Sequence, residues 1–260
     1  MDLNKYLDVI FEALEILRPM ILDIYHSPFD VALKSDDSPV TRADLITDQF
    51  LINHLRKHFP EHAFLTEESK DNLARLHNDY VWIIDPIDGT KDFIGKDNEF
   101  TTNIALSYKH EIVLGVIFAP VSGDIYYALK NNGSYVIRNG KPCKIHVSSK
   151  SNDLHIVRSR YHFKEKEQEF IDKNKDIITK VSTIGAALKA CAIAEGKADI
   201  SYRSSDGTKE WDTAASQIIV EEAGGFFLKP DGSRYSYNRE DVHNREGYFI
   251  TNKREHLDLL

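Results

Sequence analysis

Asp85, Asp88 and Asp92 fall within the short stretch WIIDPIDGTKDFI, residues 82–94, directly after a run of large apolar side chains. Carboxylates this close repel: two unit charges about 4 Å apart in an effective dielectric of roughly 20 interact by about 4 kcal/mol. Either the aspartates point apart in a turn, or a cation sits between them. A carboxylate-rich turn at a strand end offers the oxygen ligands that hard cations take. Pro86 fixes the backbone, and Gly89 permits a positive φ or a close backbone approach. The N–H groups of Gly89 and Thr90 suit a phosphate. Asp-Pro-x-Asp-Gly is also ordinary turn chemistry, so both options stand on this stretch alone. Two further acidic stretches bear on the choice. LTEES places Glu67 and Glu68 just past a short strand, where solvation would also account for them. EWDTAA places Asp212 at the start of an apolar helix, where a plain N-cap would suffice.

Elements must bring these separated stretches together. Leu3, Leu7, Ile10, Phe11, Leu14, Leu17 and Ile21 recur at helical spacing over residues 3–25, with Pro19 as a kink or an end. Residues 28–41 are polar and turn-rich, including Ser35, Asp36 and Asp37. Thr41 to Asp44 reads as a capping box that opens a helix to about His58. Short strands are expected around Phe64 and over 80–84. From residue 101 the period changes to two, which predicts an antiparallel meander over 101–108, 112–118, 124–129 and 134–138. The second half alternates: strands at 154–158, 177–182, 198–202, 225–228 and 247–251, and helices at 164–173, 186–195 and 212–223. Such mixing predicts layered sheets and helices. A boundary near residue 150 divides the chain into an N-terminal part, 1–150, and a C-terminal part, 151–260.

The 260 residues suffice for one large domain or two intimate subdomains. A hydrophobic share of 42% with 28% charged residues places the chain among globular proteins. The net charge of −8 argues against a nucleic-acid polymer as partner, and any anionic substrate must meet local cations. The two cysteines, Cys143 and Cys191, lie in no metal-binding or disulfide pattern. MDLNKYLDVIF is no signal peptide, and no apolar run reaches spanning length, so a soluble cytoplasmic protein without membrane insertion is expected. The oligomeric state is left open.

DPIDGT, WDTAA and TEES, in this order and spacing, resemble the motifs of the magnesium-dependent, lithium-sensitive phosphomonoesterases of the inositol monophosphatase-like superfamily. Within it, VRSRYH at 157–162 and ALKACAIAEGKAD at 187–199 are similar to segments of the 3′(2′),5′-bisphosphate nucleotidases, with Tyr161 departing from a Ser. TKEWDTAA is closer to their form of the second motif. Inositol enzymes carry a Glu shortly before this Asp, to hold an inositol hydroxyl; by ungapped counting that place falls near Ser205.

The resemblance implies an α/β fold layered α-β-α-β-α, with two or three Mg²⁺ ions held by Glu67, Asp85, the Ile87 carbonyl, Asp88 and Asp212. It implies that Thr90 and Asp44, with Glu67, orient and deprotonate a water that attacks phosphorus in line. A covalent aspartyl phosphate at Asp85 or Asp88 is the competing idea, disfavoured because the chain lacks the short Asp-x-Asp motif of that chemistry. Gly89 and Thr90 would hold phosphate oxygens, and helix N-termini after Asp88 and at Asp212 would add favourable dipoles. The implied substrate is adenosine 3′,5′-bisphosphate, a by-product of sulfotransfer and sulfate assimilation. Its second phosphate needs cations, for which Arg160, His162, Lys189, Arg203 and Lys209 are candidates. Ser159 belongs to the same stretch as His162, and Gly185 and Ala186 resemble the loop that abuts the sugar. Another phosphatase of the same fold, or a silent metal- or nucleotide-binding protein, are the alternatives. Asp92, past the turn, is expected to cap or to face solvent.

Overall fold

Apolar residues on one face give α1 (Asn4–His26), which buries Leu7, Ile10, Leu14, Leu17 and Ile21. Pro19 neither ends nor interrupts it. Pro19 and Glu15, whose carbonyl loses its helical partner, are both exposed. The computed structural model describes residues 2–34 and 38–260. The turn expected at Ser35, Asp36 and Asp37 lies outside them. On either side, β1 (Val31–Leu33) and β2 (Pro39–Thr41) pair antiparallel. The capping box then forms: Ala43 N–H donates to Thr41 Oγ1 at 3.2 Å, and Thr41 N–H donates to Asp44 Oδ2 at 2.8 Å. It opens α2 (Arg42–His58).

A seven-stranded sheet follows, with strands in chain order: β3 (Ala63–Thr66), β4 (Tyr80–Asp88), β5 (Thr101–Tyr108), β6 (Glu111–Ala119), β7 (Asp124–Leu129), β8 (Gly133–Arg138) and β9 (Lys141–Ile145). Only β3 and β4 run parallel; the rest is the expected meander, one strand longer than its apolar pattern indicates. After β4 comes the short helix α3 (Thr90–Gly95).

The second sheet comprises β10 (Leu154–Arg158), β11 (Ile178–Thr183), β12 (Ile200–Arg203), β13 (Phe226–Leu228) and β14 (Tyr248–Thr251), in the order β11-β10-β12-β14-β13. Between its strands run α4 (Glu165–Lys173), α5 (Leu188–Ala194) and α6 (Glu210–Glu222).

Alternation along β4 shows how the layers stack. Trp82 and Ile84 join the core made with α1 and α2. Val81 and Ile83 join the core made with α5 and α6, which also takes Phe227 and Ile250 from the second sheet. Leu154, Ile156, Ile200 and Phe249 form a third core with Phe170 and Ile171 of α4. The order is therefore helix, sheet, helix, sheet, helix, as expected. The α6 helix approaches the first sheet closely. A Cβ on Gly115 of β6 would stand 2.5 Å from Ile218 Cγ2 and 3.1 Å from the Ala215 Cα, so only glycine fits.

Candidate active site

The acidic turn is built by an irregularity in β4. Asp85 pairs with Asn103 and Asp88 with Thr101, so three steps on β4 match two on β5. Such a bulge bends the strand and re-aims its side chains. Gly89 follows in the left-handed region, φ +86°, and starts α3. A different element brings Asp212: it is the third residue of α6, where its Oδ2 accepts the N–H of Lys209 at 2.7 Å. Asp212 is not the N-cap, which is Lys209; its one oxygen takes the Lys209 N–H from the third helical position, while the group also stands in the carboxylate cluster.

One carboxylate oxygen from each of Asp85, Asp88 and Asp212 lies within 4.8 Å of the others. Asp85 is buried, and its Oδ1 has no hydrogen-bond partner among the described residues. Asp88 Oδ2 accepts from Asn103 Nδ2 at 3.0 Å and faces Thr101 Oγ1 at 3.4 Å. Burial, then mutual repulsion, sets the electrostatics. The pKa of Asp85 is raised well above the ordinary carboxylate value by burial and by Glu67, Asp88 and Asp212. Burial raises Asp88 as well, against the pull of Lys189. Burial followed by Asp88 and Glu67 pushes Asp212 up to about 7. An orphaned buried oxygen amid crowded carboxylates fits a hard divalent cation, which exchanges repulsion for coordination.

Glu67 lines the same cavity but is engaged elsewhere: Lys34 Nζ stands 2.7 Å from Glu67 Oε1 and 2.6 Å from Glu68 Oε1. Burial works against the Lys34 ammonium, but the two glutamates outweigh it and raise its pKa. Burial pushes Glu68 up to about 7 despite Lys34. Lys34 thus competes with any cation for Glu67. Nothing in ALKSDDSP distinguishes this lysine from a solvated one.

Asp44 does not line the cavity; it reaches it through Thr90. Asp44 Oδ2 takes both the N–H and the hydroxyl of Thr41, which leaves Oδ1 facing Thr90 Oγ1 at 3.3 Å. The Thr90 hydroxyl is equally 3.3 Å from the Ile87 carbonyl, and its one proton goes to one acceptor at a time.

The cavity, about 530 Å³, is also lined by Gly89, Ser159, His162, Ala186, Lys189, Arg203, Lys209 and Trp211. Lys189 is buried on α5 rather than snorkelling outward; its Nζ donates to the Ala186 carbonyl at 2.6 Å. Arg203 donates to the His162 carbonyl at 2.9 Å. Burial, then Arg203 and neighbouring lysines, lowers the His162 pKa to about 4, so its ring is a neutral hydrogen-bonding group and not a cation.

Three expectations need correction. Arg160 does not line the cavity; it is 3.0 Å from Asp92 Oδ1 and 2.8 Å from Glu99 Oε2. Asp92 consequently neither caps nor faces solvent: it is buried in this ion pair. Gly185 stands behind the wall, not on it. Its N–H donates to Glu99 Oε2 at 2.9 Å, and a Cβ there would meet the Glu99 carbonyl at 2.5 Å and Asp92 Oδ1 at 2.6 Å. Its smallness therefore admits the Arg160–Asp92–Glu99 network, while Ala186 faces the cavity. That network joins residues far apart in the chain, which no local pattern reveals.

Comparison with known proteins agrees with this geometry. The family model described as the inositol monophosphatase family matches residues 2–259. The 3′(2′),5′-bisphosphate nucleotidase CysQ of Salmonella typhimurium is 34% identical over 234 residues, 89% of this chain and 93% of that protein. Its namesake in Buchnera aphidicola is 35% identical over 239 residues, 90% of this chain and 88% of that protein. The crystal structure of CysQ from Bacteroides thetaiotaomicron superimposes with a TM-score of 0.77 at 30% identity, covering 91% of this chain and 93% of that one. The chain belongs to the inositol monophosphatase family.

Proposed function

We propose that this protein is a magnesium-dependent 3′(2′),5′-bisphosphate nucleotidase that hydrolyses adenosine 3′,5′-bisphosphate to AMP and phosphate. The observation that carries the reading is the convergence of Asp85, Asp88 and Asp212 in a cavity that Lys189, Arg203 and Lys209 also line. Glu67, Asp85, the Ile87 carbonyl, Asp88 and Asp212 would hold two or three ions, the N-terminal part supplying most ligands and the part after residue 150 completing the set. When bound, magnesium supplies Lewis-acid stabilisation of the phosphoryl and leaving oxygens and a water of lowered pKa.

The chain's own residues do the rest. Thr90 accepts a proton of the attacking water while donating its own toward Asp44 Oδ1. Asp44 is suited to receive it, because burial raises its pKa against the two Thr41 hydrogen bonds. Gly89 and Thr90 present backbone N–H groups to the scissile phosphate. Lys189, Arg203 and Lys209 meet the second phosphate, with Ser159 and the neutral His162 as hydrogen-bonding partners beside it. Ser205 falls where ungapped counting places the inositol enzymes' Glu, but the adjacent Asp206 lines the cavity, so the substrate panel and not this position separates a nucleotide from an inositol ester. The same reading carries inhibition by Li⁺ and a cytoplasmic setting; among the described residues no helix is long and apolar enough to cross a membrane.

A substrate panel at fixed Mg²⁺ tests the assignment. Phosphate release from adenosine 3′,5′-bisphosphate is expected to be much faster than from inositol 1-phosphate. The reverse order would make the protein an inositol or sugar phosphatase of the same fold.

A further inference from the structure

Away from the cavity, α1 and α2 bring together Glu12, His54 and His58. The histidines are four residues apart on α2, so they stand one above the other on one face. Glu12 comes from the neighbouring α1. One ligand atom from each residue lies within 4.8 Å of the other two. Glu12 and His58 are exposed and His54 is half-buried, so the cluster is open to solvent on one side. The His54 ring stacks on Phe50, with centroids 5.6 Å apart and planes 18° from parallel. His54 Nε2 is buried and has no hydrogen-bond partner among the described residues. The His54 and His58 ring centroids are 5.0 Å apart, a separation that side-chain rotation can close onto one ion.

We propose that Glu12, His54 and His58 form a second metal site, for a transition-metal dication such as zinc, cobalt or nickel. Two imidazoles and one carboxylate are a donor set for such ions, whereas magnesium prefers an all-oxygen set. The carboxylates clustered in the candidate active site, Asp85, Asp88 and Asp212, have the opposite preference, so the protein holds two sites of different chemistry. An ion here ties α1 to α2, the pair that covers one face of the seven-stranded sheet, and so favours the folded chain by mass action. Open coordination positions remain for water.

The test is a Co²⁺ titration of the full chain in excess Mg²⁺, read by visible absorption and by the thermal midpoint. Wild type is expected to bind one Co²⁺ with the absorption bands of nitrogen ligation and a raised midpoint. His58→Ala and Glu12→Gln are exposed changes that leave the core intact. Each is expected to weaken Co²⁺ binding by roughly tenfold or more, since even outer partners of metal ligands act on that scale, with Mg²⁺-dependent phosphatase activity unchanged. Asp88→Asn is expected to leave the Co²⁺ bands unaltered. Equal affinity and spectrum in wild type and His58→Ala, loss of the bands in Asp88→Asn, or no Co²⁺ retained against excess Mg²⁺ would each overturn the site.

Discussion

Asp88 illustrates how a residue's neighbours define its task. Asn103 and Thr101 hold one of its oxygens, and Asp85 and Asp212 crowd it. Replacing Asp88 by Asn keeps size and hydrogen-bonding capacity but removes a charge that a cation requires. Turnover is expected to fall by about a hundredfold or more, without unfolding as judged by circular dichroism; unchanged turnover would remove Asp88 from the site. Asp212 gives a pH signature in metal-free protein. Its folded pKa, about 7, exceeds its ordinary 3.8, so the contribution to stability is full below 3.8 and is lost as pH rises through about 7. In EDTA, Asp212→Asn should therefore gain thermal stability relative to wild type as pH rises across that window. A constant difference across the window would contradict the assigned environment. Asn still accepts the Lys209 N–H, so the comparison isolates the charge. At this scale the acidic motifs were legible from residue type and order. Lys34 was not, because an ion pair to Glu67 depends on where the β1–β2 pair folds back. Arg160 stood among the candidate cations for the second phosphate for the same reason: its partners, Asp92 and Glu99, lie on another part of the chain.

Among the elements, β4 carries the most consequence. Its apolar run predicts a strand ending at residue 84, yet pairing continues to Asp88 through the bulge opposite Asn103 and Thr101. Polar residues and a proline conceal that continuation from any alternation pattern. β9 was hidden similarly: four of its five residues are exposed, so no inward face marks it. α1 was legible because it buries one regular face, whereas β5 and β6 are buried on both faces and were marked by their apolar content and flanking turn residues. The contact of α6 with the first sheet fixes how Asp212 is delivered, and Gly115 sets its closeness. Ala215 contributes backbone atoms there, which cannot rotate away. Gly115→Ala is expected to cost about 1–3 kcal/mol in denaturant unfolding and to reduce activity through displaced Asp212. A variant with wild-type midpoint and turnover would show that α6 has slack.

At the level of the whole molecule, the layers explain why the site needs most of the chain. The first sheet supplies Asp85 and Asp88, α6 supplies Asp212, α2 supplies Asp44, and α5 supplies Lys189. The central core contains residues of both sheets and of α5 and α6, so the two sheets are packed through shared apolar surface. Helix–strand alternation made that layering legible; the convergence of its loops onto one cavity became visible only with the structure. A negative chain attracts a doubly phosphorylated nucleotide only where cations gather, and Lys189, Arg203 and Lys209 gather at the cavity. The most direct measurement of the central claim is phosphate release from adenosine 3′,5′-bisphosphate by the purified protein across a Mg²⁺ titration, with an EDTA blank. Turnover that rises from the blank, saturates with Mg²⁺ and returns to the blank on chelation is the predicted result. Turnover that persists undiminished in excess EDTA, or no turnover at any Mg²⁺ concentration, would contradict it.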